Sequence, residues 1–192
     1  MIVSDSRKFV FVHIPKSAGI SVRAALEPYA DGQKAAHPNT THETLPALLA
    51  REPRLGGYYK FAFVRNPWDR LVSFHAYARE RLRPTVPEMQ GLDFAQLLRL
   101  MDRGADWLDR LYVLQPQSGY VCGADFVGRF ETLESDFARV CASLDIRAVL
   151  PRKNTSGHGT YTGYYDAWSR DFVASRYADD IDEFGYAFEA TS

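Results

Sequence analysis

The chain has 192 residues, 46% of them hydrophobic and 14% aromatic, which is enough to bury one sizeable core, so we expect a single domain over residues 1–192. A formal net charge of -1 gives no global positive field to attract nucleic acid, and no apolar run is long enough to span a bilayer. Cys122 and Cys141 are too few for a disulfide framework or a cysteine zinc site. Since no signal-peptide pattern is visible, we expect a cytoplasmic protein.

The first predicted elements are two strand–turn–helix units. Residues 9–14 are apolar on both faces, as in a strand buried in a parallel sheet, and apolar residues at helical spacing follow a turn at 15–19. A second buried strand over 58–64 runs into a turn where Asn66 suits an N-cap and Pro67 suits the first helical position. Two such units predict an α/β fold with a P-loop-like core, in which helices flank a central parallel sheet.

The remaining predicted elements complete this core. They are a short helix over 44–51, a helix behind Asp93, a long loop over 115–125, a strand over 126–130, a helix over 133–144 and a closing helix over 173–184.

The first turn has the composition of an anion-binding loop, and it reads His13-Ile14-Pro15-Lys16-Ser17-Ala18-Gly19-Ile20-Ser21. A loop that precedes a helix N-terminus points backbone N–H groups and the positive end of the helix dipole at one place. Gly19 permits close approach of the backbone, Lys16 adds a charge, and the hydroxyls of Ser17 and Ser21 can donate to anionic oxygens. The pattern GxxxxGK[ST] is absent, which disfavours a magnesium–ATP site. By itself, this segment is equally compatible with an ordinary turn that carries a solvated lysine.

The second turn favours the anion-binding interpretation. Arg65 stands at the end of its strand, and Ser73 follows nearly two helical turns later. Both can face an anion beside the first loop, because adjacent parallel strands end on the same side of a sheet. Two anion sites at one edge suit a nucleotide that carries phosphate groups at both its 5′ and 3′ positions, whereas ATP does not need them.

Both turns resemble motifs of one enzyme family. Residues 11–21, FVHIPKSAGIS, resemble the 5′-phosphosulfate loop, and residues 61–73, FAFVRNPWDRLVS, resemble the 3′-phosphate motif, of the sulfotransferases that include the carbohydrate 2-O- and 4-O-sulfotransferases and their bacterial relatives. The segments FVGRFETLESDF, PRKNTS and YYDAWSRDFVASRYADDIDEFGYAF are similar to later parts of that family, in the expected order. The resemblance implies a metal-free enzyme that uses 3′-phosphoadenosine 5′-phosphosulfate (PAPS) as donor and a hydroxyl group, of a carbohydrate or a similar compound, as acceptor.

The resemblance also implies roles for the residues that match the motifs. Lys16 would contact the bridging oxygen of the phosphosulfate, while Arg65 and Ser73 would hold the 3′-phosphate. The residues that would hold the 5′-phosphate are Ser17, Ala18, Gly19, Ile20 and Ser21. A later loop that would close over the nucleotide contains Asn154, Thr155 and Ser156. Ser17 and Ile20 stand where the family often has threonine, so Ile20 offers only its backbone N–H.

Sulfuryl transfer needs a base for the proton of the acceptor, and histidine is the side chain best matched to neutral pH. The histidines of the chain are His13, His37, His42, His75 and His158. His13 in the first strand and His75 on an apolar helix face are expected to be satisfied core residues. The base of the family lies a little over twenty residues before the arginine of the 3′-phosphate motif. We therefore expect His42 to be the base, with His37 as the second candidate.

Two other functions are compatible with these motifs. A binding module without catalysis would bind PAPS and transfer sulfate to no acceptor. A small P-loop kinase would bind ATP with magnesium, and the missing nucleotide-hydrolase pattern argues against it. The residues themselves do not distinguish a sugar, a peptide tyrosine or a small metabolite as acceptor, although the resemblance favours a carbohydrate.

Overall fold

The computed structural model describes residues 1–31, 42–81, 86–151 and 159–188. The chain divides into two compact units. Unit 1 comprises Met1–Arg65 and Gln117–Asn154, and unit 2 comprises Asn66–Pro116 and Thr155–Ser192. That all of residues 1–192 form a single domain stays a prediction. None of the helices in the described ranges is both long enough and apolar enough to cross a membrane.

The strands and helices of the described residues follow one another in the order expected for an α/β protein. The strands are β1 (Ile2–Ser4), β2 (Phe9–Val12), β3 (Tyr59–Val64) and β4 (Phe126–Arg129). The helices are α1 (Gly19–Leu26), α2 (Leu45–Arg51), α3 (Pro67–Arg81), α4 (Phe94–Asp102), α5 (Asp106–Asp109), α6 (Ser118–Val121), α7 (Leu133–Leu144), α8 (Ala167–Arg176) and α9 (Ala178–Phe184).

Unit 1 is built on a sheet in which the strands lie in the order β1-β2-β3-β4. Strands β2, β3 and β4 are parallel, with Val12 opposite Ala62 and Val64 opposite Arg129. The carboxyl ends of these strands therefore lie at one edge of the sheet. The α/β fold with flanking helices is confirmed, and the sheet is mixed rather than wholly parallel because β1 pairs antiparallel with β2 at its edge.

The core of unit 1 consists of aromatic residues on the strands and apolar faces of α1 and α7. Phe11 on β2 and Phe61 on β3 pack with ring centroids 5.5 Å apart, and Phe137 on α7 lies 6.4 Å from Phe63. Gly128 on β4 is required by this packing, since a Cβ there would lie 2.5 Å from the Phe63 ring. The core thereby fixes the strand ends from which the two turns leave.

Unit 2 is helical in the described residues, with its core between α3, α4 and α8. Asn66 accepts a hydrogen bond from the Trp68 N–H at 3.1 Å, and α3 begins at Pro67, which confirms both predicted positions. The closing helix predicted over 173–184 is two helices, because Tyr177 leaves helical geometry with ψ of 33° between α8 and α9. The Tyr177 hydroxyl donates to the carbonyl of Leu114 at 2.9 Å, which anchors this break.

Candidate active site

The turn between β2 and α1 has an unusual backbone. Lys16 and Ala18 adopt the left-handed conformation, with φ of 67° and 59°. This conformation costs a residue with a side chain about 1–2 kcal/mol and persists where the surroundings enforce it. Ala18 is the N-cap of α1, and its methyl side chain offers no oxygen to cap the helix. The carbonyl of Ala18 accepts from the N–H groups of Ser21 and Val22, so the N–H groups of Gly19 and Ile20 precede the intrahelical hydrogen bonds.

Gly19 is required by a neighbour within unit 1 as well as by its place in the turn. A Cβ at this position would lie 1.7 Å from Cδ2 of His13 and 2.0 Å from its Nε2. No larger residue fits unless the imidazole moves. The sequence predicted only a close approach of the backbone to a ligand, whereas the structure places the His13 ring against the start of α1.

Arg65 follows β3 and is 4% exposed. Its Nη1 donates to the carbonyl oxygen of Lys16 at 3.2 Å, and its guanidinium lies 4.0 Å above the centre of the Phe130 ring. The structure therefore brings the two predicted turns together through the guanidinium of Arg65 and the backbone of Lys16.

Gln117 joins the same two turns and was not singled out from the sequence. Its side chain is fully buried. Its Nε2 donates to the Arg65 carbonyl at 2.8 Å, and its Oε1 accepts from the Arg65 N–H at 2.9 Å. The same Oε1 accepts from the Ser17 hydroxyl at 3.2 Å. The hydroxyl proton of Ser17, expected from the sequence to face an anion, is thus directed at Gln117.

His42 lies just before α2 and is hydrogen-bonded to His13, the residue that follows β2. Its Nδ1 is 2.9 Å from the carbonyl oxygen of His13, and the two imidazole centroids are 4.5 Å apart. Because a carbonyl only accepts, Nδ1 carries the proton and the lone pair of the neutral ring is on Nε2. Burial lowers the pKa of His42 below its ordinary value of 6.5, against the opposing effect of the hydrogen bond to His13. His42 is therefore neutral at pH 7.

His13 and His75 are both buried, as predicted, but they differ in hydrogen bonding. The Nε2 of His75 is 2.9 Å from the Leu92 carbonyl, which makes it a satisfied core histidine. Desolvation and the neighbouring His42 lower the pKa of His13 to about 2, and its Nδ1 is buried with no hydrogen-bond partner among the described residues. The prediction that His13 is a satisfied core residue was wrong in that respect.

Of the other predicted site residues, Ser21 and Ser73 lie in the described ranges. Ser73 is buried on α3 in unit 2, and Ser21 is buried on α1 in unit 1. His37, and the predicted closing loop with Asn154, Thr155 and Ser156, lie outside the described residues. Their roles, like those of the 5′-phosphate loop, stay predictions. The described ranges also contain no group of three or more His, Cys, Asp or Glu side chains that could hold a metal ion.

Comparison with known proteins agrees with this architecture. The model of the family described as "Sulfotransferase family" matches residues 1–187. An uncharacterized protein of Archaeoglobus fulgidus is 30% identical over 127 residues, which is 61% of this chain and 97% of that protein. No solved structure matches the chain. Because the family model covers almost all of its length, the chain belongs to the sulfotransferase family.

Proposed function

We propose that this sulfotransferase takes PAPS as its donor and transfers the sulfuryl group to a carbohydrate hydroxyl, with His42 as the base. The observation that carries the proposal is the junction of the two turns in unit 1. The Lys16 turn and Arg65 are linked by a hydrogen bond of 3.2 Å, so two basic residues and the start of α1, where Ala18 has no capping oxygen, belong to one small region. Such a region suits a ligand with two anionic groups.

The donors on the chain match the chemistry of this nucleotide. When bound, PAPS supplies a sulfuryl group whose departure leaves negative charge on the bridging oxygen. The N–H groups that begin α1 suit the 5′-phosphate, and Lys16 provides a cation for the charge that develops beside it. Arg65 provides a planar cation for the 3′-phosphate, with Ser73 assigned to the same group by the family resemblance alone.

His42 has the protonation state that a general base requires. Its Nδ1 is committed to the His13 carbonyl, which orients the ring and leaves Nε2 as the basic nitrogen. Its lowered pKa keeps it neutral at the pH where it must accept the proton of the acceptor hydroxyl. The carbohydrate acceptor is supported by the resemblance of the motifs to carbohydrate sulfotransferases, and His37 is the alternative base.

The proposed donor site is tested by comparing adenosine 3′,5′-bisphosphate with AMP in titration calorimetry. The wild-type chain should bind the bisphosphate much more tightly. Arg65→Ala should weaken the bisphosphate by about 1.5–3 kcal/mol and AMP by much less, because only the bisphosphate has a 3′-phosphate to lose a charge-assisted contact. Arg65→Lys keeps the charge without the planar fork and should lie in between. Equal affinity of the wild type for both nucleotides would refute the donor assignment.

Catalysis is tested separately with sulfur-labelled PAPS and a panel of acceptors. The panel contains neutral and acidic oligosaccharides, a tyrosine peptide and a small aromatic alcohol. Transfer to a sugar hydroxyl is the expected result, and transfer to the peptide alone would refute the carbohydrate acceptor. Tight binding of the bisphosphate with neither transfer nor hydrolysis of PAPS would indicate a binding module instead.

A further inference from the structure

Gln117 occupies a central position in the hydrogen bonding of the two turns. Its carboxamide pairs with both main-chain groups of Arg65, at 2.8 and 2.9 Å, in the way that a neighbouring strand would. The third bond, from the Ser17 hydroxyl at 3.2 Å, reaches the other turn. Ser17, Arg65 and Gln117 all belong to unit 1. One side chain therefore fixes both turns at the ends of β2 and β3.

We propose that Gln117 is a positioning residue for the donor nucleotide, setting the spacing between the Lys16 turn and Arg65. This inference rests on the proposed function. A ligand with phosphate groups at two positions binds well only when both turns stand at the matching distance, so the residue that ties them sets affinity and reactivity without touching the reacting atoms.

The bonds of Gln117 are not replaceable by packing alone. A buried N–H or carbonyl that loses its partner is strongly disfavoured, so the Arg65 backbone would shift to find another one. That backbone carries the guanidinium which holds the Lys16 carbonyl, and Lys16 is itself in a left-handed conformation. Loss of the Gln117 amide would hence disturb both turns together.

The decisive substitution is Gln117→Met, which keeps the length and apolar stem of the side chain and removes all three hydrogen bonds. We expect the affinity for adenosine 3′,5′-bisphosphate to fall about tenfold or more, and kcat for PAPS turnover to fall by a similar factor. Titration calorimetry and single-turnover measurements give the two values. Binding within twofold of wild type would overturn the inference.

Gln117→Glu supplies a signature that a merely structural role would not produce. The neutral carboxylic acid has one donor and one acceptor, as the amide pair with Arg65 requires, whereas the ionised form presents an oxygen to the Arg65 carbonyl. The affinity of this variant, divided by that of wild type at the same pH, should rise between about pH 8 and about pH 5.5 as the carboxyl takes up its proton. The same ratio for Gln117→Met should stay constant. A constant ratio for both variants would contradict the proposed hydrogen bonds.

Asp125→Ala is the matched control in unit 1. The Asp125 carboxylate accepts from the Lys60 N–H at 2.7 Å and pairs with its ammonium group at 2.7 Å, near the start of β3 and thus at the opposite end of that strand from Arg65. This variant should lower Tm and leave bisphosphate affinity within twofold of wild type. If it weakens binding as much as Gln117→Met, general loosening of the sheet explains the effect and the inference fails. If wild type itself shows no preference for the bisphosphate over AMP, the proposed function fails first and the inference with it.

Discussion

Helix α1 begins in a different way from α4 and α8. In unit 2, the N-termini of α4 and α8 are capped by aspartates that form capping boxes. Asp93 accepts from the Gln96 N–H at 2.7 Å, and Gln96 accepts from the Asp93 N–H at 2.9 Å. Asp166 and Ser169 form the same reciprocal pair at 2.7 and 2.9 Å. In unit 1, α1 begins at Ala18, which has no side-chain oxygen and stands in the left-handed conformation.

The contrast separates a helix end that stabilises the fold from one that is suited to a ligand. A carboxylate cap accepts hydrogen bonds from first-turn N–H groups, and its negative charge is attracted to the positive end of the helix dipole. Together these effects stabilise the protein by about 0.5–2 kcal/mol. The same carboxylate at α1 would occupy donors that an anion needs and would repel it. Substitutions around α1 should therefore change binding or turnover more than stability, and those at the caps of α4 and α8 should do the reverse.

Among the residues near the start of α1, substitution of His42 should cause the largest loss of turnover. His42→Ala is expected to lower turnover about 10²–10⁴-fold while nucleotide affinity stays near wild type, because a base acts on the acceptor rather than on the donor. The matched variant His42→Gln keeps a donor for the His13 carbonyl and cannot act as base, so it should be equally slow. Steady-state rates with saturating PAPS provide the measurement. If His42→Ala is active and His37→Ala is not, the base is His37.

The pH profile of kcat/KM gives a second test of His42. Only the neutral imidazole accepts a proton, and burial lowers its pKa, so activity should decline as pH falls with a midpoint below 6.5. In His42→Ala this acidic limb should be absent from the residual rate. Circular dichroism at each pH separates loss of the fold from loss of activity. A midpoint above 6.5 would contradict the burial of His42.

Substitution of Lys16 should have the next largest effect and lower kcat by about a hundredfold or more. The negative charge on the bridging oxygen grows as the sulfuryl group departs, so a cation beside it stabilises the transition state more than the bound ground state. Lys16→Met should therefore lower kcat more than it weakens bisphosphate binding. Rapid-quench single turnovers with PAPS measure the chemical step directly. A variant that loses affinity but keeps kcat would show that Lys16 serves binding only.

Most of the fold was predictable because it is encoded locally. The apolar strands, the starts of α3 and α4, and the two turns each follow from residues that are close together in the sequence. The edge strand β1 was missed because three residues show no period. The break at Tyr177 was missed because Val173, Tyr177 and Ile181 keep helical spacing across it.

The candidate site was predictable only in part, for a physical reason that Gln117 illustrates. Lys16 and Arg65 lie in turns that follow predicted strands, where the sequence pattern itself indicates a functional site. Gln117 lies 52 positions from Arg65 and 100 from Ser17, so no local pattern relates them. The contact of His13 with Gly19 likewise depends on side-chain packing that spacing along the chain does not encode.

Ala18→Asp gives α1 a carboxylate at its N-cap, as α4 and α8 have. The new carboxylate stands at the start of α1, where it competes with an anion for the first-turn N–H groups and repels it. Bisphosphate affinity should fall about tenfold or more, with a smaller loss for Ala18→Asn, which has the same shape without the charge. Titrations at low and high salt distinguish the two, since repulsion weakens as salt screens it. Equal affinities for wild type and Ala18→Asp would mean that the anion does not bind at this helix end.

Asp93→Ala should have the smallest effect on function and a clear one on stability. Removing the carboxylate leaves the Gln96 N–H without its cap, which should lower the free energy of unfolding by about 1 kcal/mol. Asp93→Asn keeps a capping oxygen and should lose less stability.

Denaturant unfolding followed by circular dichroism measures the stability, and bisphosphate titration measures the function of the same samples. Because Asp93 belongs to unit 2, whereas Lys16, Arg65 and Gln117 belong to unit 1, affinity should remain within twofold of wild type in both variants. A loss of affinity comparable with that of Ala18→Asp would mean that the N-termini of α4 and α1 do not differ in role.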